Sequence, residues 1–397
     1  MGYLKDIRMR LGFSEDEVAG RLSLSRRAYR ALEEQPHDDL EFDTLLELRD
    51  VLGLDINSLL EASFPERFPI AALLKSSAET LPLESRLALA AATSVGRDFK
   101  YLKVCLDPDQ PGTAWEWLKT FEHDDDYSHP REGAPERLAR LARERLGLSA
   151  DEPIPSIFKL LRGRGILFLE DEHVPELDAF SMVAEGVAPL IMSNLYGGHM
   201  ATAVERRVAW AHELCHLMFD RPMMLDAKRL CVHEASSRLR GRSLWDDVER
   251  RARAFAVYLL APREGVTRIW RRGGEETTRI RGVMEHFGIG YQATRGQLDN
   301  LGLLSMRRKV GYVDPMLPLW DSKEVTPQLG DAGAPGLPPM RVLRDLGVPD
   351  LRCGVFAQEV LSTWQRHRGE VTQGQIAGLL RVPNGLLQVH YLRDLRS

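Results

Sequence analysis

The chain is poor in cysteine. Only Cys105, Cys215, Cys231 and Cys353 occur in 397 residues, and no two form a Cys-x-x-Cys pair. That argues against a disulfide framework or a zinc site built from cysteines alone, and it fits a reducing cytosol. Long apolar runs are missing too. Nothing reaches transmembrane length, and "MGYLKDIRMRLG" has no apolar signal core, so a cytoplasmic protein without a membrane partner is expected. Gly2 is followed by Asp6 where a myristoylation signal needs Ser or Thr. Neither charge sign dominates. With a formal net charge of -5, any nucleic-acid surface must be local. What remains is a globular composition, 44% hydrophobic and 28% charged, long enough for about two to four domains.

Punctuation by proline, glycine and acidic runs divides the chain into residues 1–65, 66–134, 135–305, 306–340 and 341–397. Residues 1–65 read as a compact all-helical unit. Ser14 with Glu17 makes a capping box ahead of one short helix, and Ser25 opens the next. Ala19 lies where the two would approach closely. Residues 66–134 read as mostly helical, ending in the exposed acidic break Glu122–Pro135. From Pro135 helices alternate with the strand-like runs 166–170, 179–183 and 189–193, followed by helices over 204–219 and 246–261. The expected fold is mainly α, with an α+β domain whose small antiparallel or mixed sheet packs on helices. Residues 306–340 read as a Pro/Gly-rich linker. Residues 275–304 and 368–395 each carry helix-turn-helix spacing, the latter with Ala377 at the close approach.

The segment "AHELCH" places His212 and His216 one turn apart, on one face of a helix. Two imidazoles so spaced can share a zinc ion, and Glu213 beside them suits a general base. A chance match to three fixed residues in such a chain is on the order of one in a hundred. A third ligand is needed. Glu249 opens "ERRARAFAVYLLAP", where Ala252 and Ala256 continue its stripe and permit close helix packing. Tyr196, His199 and His233 are candidates to stabilise a developing oxyanion. Residues 189–193, read as an edge strand, could hold an extended peptide. Cys215 reads as a packing residue ahead of a redox-sensitive thiol.

Two resemblances follow from these residues. Residues 3–62 resemble the Cro-type (XRE) helix-turn-helix family, which implies that Arg26, Arg27 and Arg30 face DNA. Glu15, followed by Asp16 and Glu17, replaces the glutamine usual in that family, which weakens phosphate contact. Residues 136–304 resemble the ImmA/IrrE zinc metallopeptidases in "AHELCH" and in "ERRARAFAVYLLAP", with Arg253 for the usual Asn and Cys215 for the usual Gly. That resemblance implies a zincin-like domain with one Zn²⁺ per chain on His212, His216 and Glu249. Glu213 would be the base, and the substrate a helix-turn-helix repressor cleaved in a stress, mobile-element or defence response. DNA binding through residues 1–65 and a homodimer are further expectations. The alternative is a transcriptional regulator or protein-binding module whose zinc domain senses without cleaving.

Overall fold

The computed structural model describes residues 3–35, 40–53, 71–72, 82–107, 115–119, 134–170, 179–183, 186–194, 200, 202–220, 244–314, 343 and 348–387. Among these the chain is mainly helical with one small mixed sheet. No described helix is long and apolar enough to cross a membrane.

The amino-terminal unit consists of α1 (Tyr3–Arg10), α2 (Glu15–Arg21), α3 (Arg26–Glu34) and α4 (Phe42–Leu52). Its helix starts follow from the caps. Ser14 and Glu17 complete the capping box, and Ser25 accepts from the backbone of Ala28. Leu4, Ile7, Val18, Ala19, Tyr29 and Leu48 form the core. Arg8 and Glu33 meet within it at 2.6 Å.

The next helix, α5 (Leu83–Tyr101), runs along the sheet. Its Gly96 is required by close approach, since a Cβ there would stand 2.5 Å from Val187 Cγ1. The bare backbone instead accepts a hydrogen bond from Ala188 N at 3.1 Å. The sheet itself comprises β1 (Ala71–Ala72), β2 (Leu167–Glu170), β3 (Ala179–Val183) and β4 (Leu190–Ser193), in the order β1-β3-β4-β2. β3 pairs antiparallel with β4 and with β1, while β2 and β4 run parallel, Leu167 opposite Leu190.

One expectation needs correction. Residues 189–193 do not form an edge strand, because β4 lies between β3 and β2. All four of its residues are buried, as an interior strand requires on both faces, and its backbone is already paired on both sides. Strand addition at β4 is therefore ruled out. Where residues 66–134 are described they are mostly helical, with one short strand besides. Ala71–Ala72 pair with Val183 and Met182, so sheet pairing overrides the helix preference of alanine.

The longer remaining helices are α6 (Ala134–Arg145), α7 (Ile157–Gly163), α8 (Ala203–Cys215), α9 (Leu244–Leu260), α10 (Arg263–Trp270), α11 (Glu276–Phe287), α12 (Tyr291–Asn300), α13 (Val355–Arg366) and α14 (Gln373–Leu380), with single turns at Glu116–Lys119 and Asn384–Leu387. The carboxy-terminal helices join the body. Glu359 on α13 meets Lys103 beyond α5 at 2.7 Å and Arg162 on α7 at 2.6 Å. Arg352 reaches Asp98 on α5 at 2.6 Å.

Candidate metal centre

The first half of the site is α8. It starts where Thr202 and Glu205 form a capping box. Two buried side chains, Arg207 and Trp210, fix its axis. Arg207 donates to the carbonyls of Ile154 at 2.8 Å and Gly288 at 3.1 Å, tying α8 to the end of α11. Trp210 Nε1 donates to Ser193 Oγ on β4 at 3.0 Å. The Trp210 ring also stacks edge-on with Phe168 of β2. Beyond Cys215 the backbone widens into one π turn, His216–Asp220. Such turns alter the direction of side chains within a helix and recur at functional sites.

The second half is α9, which crosses α8 through small residues. Ala252, Phe255 and Ala256 are fully buried, and Phe255 packs edge-on against Phe219. Alanines at the crossing bring the helices close enough for Glu249 to reach the histidines, as the alanine stripe predicts. The far end of α9 is held by Arg143 of α6, whose guanidinium donates to Leu259 O at 2.5 Å. Burial pulls the pKa of Arg143 down to about 10, against the nearby acids.

His212, His216 and Glu249 converge. Their Nε2 atoms are 3.0 Å apart, and Glu249 lies 3.4 Å from His212 Nε2 and 3.5 Å from His216 Nε2. A tetrahedral ion about 2.0–2.1 Å from each ligand would separate the ligand atoms by about 3.3 Å. The observed triangle is close to that size. Asp220 accepts from His216 Nδ1 at 2.8 Å, which turns the Nε2 lone pair toward Glu249 and His212. The other oxygen of Asp220 accepts from the buried Arg251.

Charge gives a second test of fit. Glu213, Asp220 and Glu249 bring three carboxylates, while Arg251 is the buried cation among them. With neutral imidazoles and all three carboxyls ionised, the buried set would carry two net negative charges, which a divalent cation would balance; Arg253 adds a positive charge at the exposed rim. Burial pulls the pKa of His216 down, but Asp220, Glu213 and Glu249 outweigh it and leave the value raised, so positive charge is favoured there. Glu213 shows the opposite balance. Burial raises its pKa, against the charges of His212 and His216 and the Ser181 hydroxyl on β3. Its Oε2 makes no hydrogen bond within the protein. A buried, unsatisfied carboxylate oxygen beside two histidines suits a group that exchanges protons with a bound water.

Asp220 and Arg251 are the site residues that sequence reasoning missed. Asp220 stands four residues after His216 and Arg251 two after Glu249, spacings that were available to it. Arg253, noted as unusual, lies on the rim, 64% exposed, with a guanidinium nitrogen 3.8 Å from Glu249. Tyr196, His199 and His233 lie outside the described residues. Arg26, Arg27 and Arg30 are exposed on α3, in the amino-terminal unit. Glu15 takes two of them, Arg26 at 2.8 Å and Arg30 at 2.6 Å, and these arginines pull its carboxyl pKa down to about 2.

Comparison of the chain with protein-family models, curated proteins and solved structures gave no match in any of the three.

Proposed function

We propose that the chain is a zinc-dependent endopeptidase of the ImmA/IrrE type, with a zincin-like catalytic domain and a regulatory role. The observation that carries the reading is the triangle of His212 Nε2, His216 Nε2 and Glu249, closed at 3.0–3.5 Å in a pocket of net negative charge. Those three residues would hold the ion. Zinc, when bound, acidifies a water and polarises a peptide carbonyl. Glu213 takes a proton from the attacking water and passes it to the departing amine. Its raised pKa suits both halves of that exchange, because a strongly acidic carboxyl would neither accept nor hold the proton. A purely sensing site has no need of a buried carboxylate in that place, and this favours cleavage over sensing. By the same resemblance, the substrate is a helix-turn-helix repressor.

The test combines metal analysis with a paired assay. Purified protein should contain one zinc per chain. Wild type should cleave a small helix-turn-helix repressor encoded beside it. Glu213→Gln should keep the zinc and lose cleavage by a factor of about 10²–10⁴. Cleavage by both proteins, or zinc content near zero in both, defeats the reading.

A further inference from the structure

Among the described residues, the metal triangle is reached from one side. The His216 side chain is 1% exposed, whereas those of His212 and Glu249 are 15% and 14% exposed. Solvent, and any peptide, therefore approaches the ligand atoms between His212 and Glu249. Arg253 borders that opening. It stands one turn along α9 from Glu249, on the same stripe, with a guanidinium nitrogen 3.8 Å from Glu249 Oε2. The neighbouring arginines of α9 are engaged away from the ligands. Arg250 pairs with Asp247 at 3.0 Å, and the buried Arg251 pairs with Asp220. The ion-pair partner of Arg253 among the described residues is itself a candidate ligand.

That contact is easily exchanged. At 3.8 Å it lies beyond hydrogen-bond distance, and the Arg253 side chain is 64% exposed, where an ion pair contributes little. A bound cation draws the charge of Glu249 to itself. With all three carboxyls ionised, Arg253 and the buried set together carry one net negative charge, and a divalent ion turns that sum to one net positive charge. The positive charge is then greatest at the accessible edge, on a planar group whose paired donors match a carboxylate. The distance also fixes which carboxylate. An extended peptide advances about 3.3–3.6 Å per residue, close to the separation between Arg253 and Glu249. An acid that meets Arg253 therefore belongs to a residue one or two positions from the scissile bond.

We infer that Arg253 is a specificity-determining residue: released from Glu249 when the metal binds, it receives an acidic side chain of the substrate beside the scissile bond. The inference rests on the peptidase reading and names its substrate class, peptides with Asp or Glu next to the cleaved bond. Binding of metal and choice of substrate are thereby linked through one carboxylate. Without the ion, Glu249 holds Arg253 and competes with the substrate acid. With the ion, Arg253 faces the opening with its donors available.

The test measures binding rather than turnover, on the full chain carrying Glu213→Gln. The probes are end-capped octapeptides bearing a neutral fluorophore, with a central Glu, Gln or Lys and the other positions drawn from Ala, Leu, Ser and Tyr. Capping removes the terminal carboxylate as a rival. By fluorescence anisotropy at low salt, the zinc-loaded protein should bind the Glu pool about fivefold more tightly than the Gln pool. After zinc is removed with a chelator, the preference should shrink to within about twofold. Adding Arg253→Gln should abolish the preference, and adding Arg253→Glu should transfer it to the Lys pool. Arg253→Gln should also bind zinc about two- to fivefold more tightly, because no cation then competes for Glu249. Both substitutions are on an exposed side chain, and an unchanged melting curve checks the fold. Equal binding of the Glu and Gln pools by a fully zinc-loaded chain, or no binding of either up to about 10⁻³ M, overturns the inference while leaving the peptidase reading standing. A Glu preference that survives Arg253→Gln or the removal of zinc overturns it too. Zinc content near zero defeats both readings together.

Discussion

Two buried charged clusters invite comparison. At the candidate metal centre, two imidazole nitrogens and a carboxylate point at one another, and the surrounding acids outnumber the one buried cation. At the other cluster, the interlock between α4, α5 and the carboxy-terminal segment, every carboxylate has its own arginine. Asp98 receives both guanidinium nitrogens of Arg49, at 3.1 and 3.0 Å, and Arg352 at 2.6 Å. Arg352 also donates to Leu379 O at 2.7 Å and Ser94 Oγ at 3.2 Å, while Arg381 lies 3.2 Å from Asp50. Burial alone therefore does not identify a ligand site. The interlock is complete within the protein, whereas at the metal centre His212, His216 and Glu249 converge and, among the described residues, the nearest cation to Glu249 besides them is Arg253 on the exposed rim.

The largest expected effect breaks the open cluster. His216→Ala should reduce zinc from one per chain to near zero. Asp220→Asn, which keeps the ligands but loses their support, should weaken zinc affinity by about 10–100-fold, measured by competition with a chelating dye. Unchanged affinity in both would place the metal elsewhere. The closed cluster should respond in a different property. Arg352→Ala leaves Asp98 short of a buried partner and should cost about 3 kcal/mol in urea unfolding, with zinc content unaltered. Loss of zinc in that variant would erase the distinction between the clusters.

Acid should separate them as well. Burial raises the pKa of Glu359, but Lys103 and Arg162 outweigh it and hold the carboxyl below its usual range. Asp107 behaves alike, with burial overcome by His367 and Arg366. For a depressed acid the stabilisation is present above the unfolded pKa of about 4 and is lost as pH falls through the folded one. The contacts of α13 should therefore survive to below pH of about 4. Histidine ligands must be neutral to hold a metal, so zinc should leave at higher pH than the fold opens. Far-ultraviolet circular dichroism and released zinc, followed in one titration, check the order. Unfolding before metal release would contradict it.

How much of this was readable beforehand depended on distance along the chain. His212, Glu213 and His216 fall within one turn, and Glu249 is marked by the alanines that follow it, so local periodicity was enough. The interlock pairs residues such as Asp98 and Arg352, more than half the chain apart, and no spacing rule joins them. β3 could be read from its bounding turns. β1 could not, because "AA" carries no strand preference and exists only by pairing with Met182 and Val183. The interior place of β4 did leave a signal. "PLIMS" is almost wholly apolar, whereas a half-exposed strand alternates. The support from Asp220 and Arg251 was overlooked because a His-x-x-x-Asp spacing is common on any helix.

The smallest expected effect concerns Cys215, which lies inside the metal motif. Burial raises its thiol pKa, with Arg251 pulling the other way and Asp220 adding to the rise. Reactivity toward peroxide requires a thiolate that solvent can reach. Cys215 is fully buried and protonated at neutral pH, so neither condition holds. It packs beside Arg251 on the supporting side of the centre and supplies no ligand atom to the triangle. Cys215→Ala should then cost about 1 kcal/mol from lost packing and leave zinc content unchanged. Peroxide should inhibit wild type and variant equally. A variant that resisted peroxide would make the thiol a working part of the open cluster, and the division drawn between ligand-binding and self-satisfied charge would then have to include a redox-sensitive group.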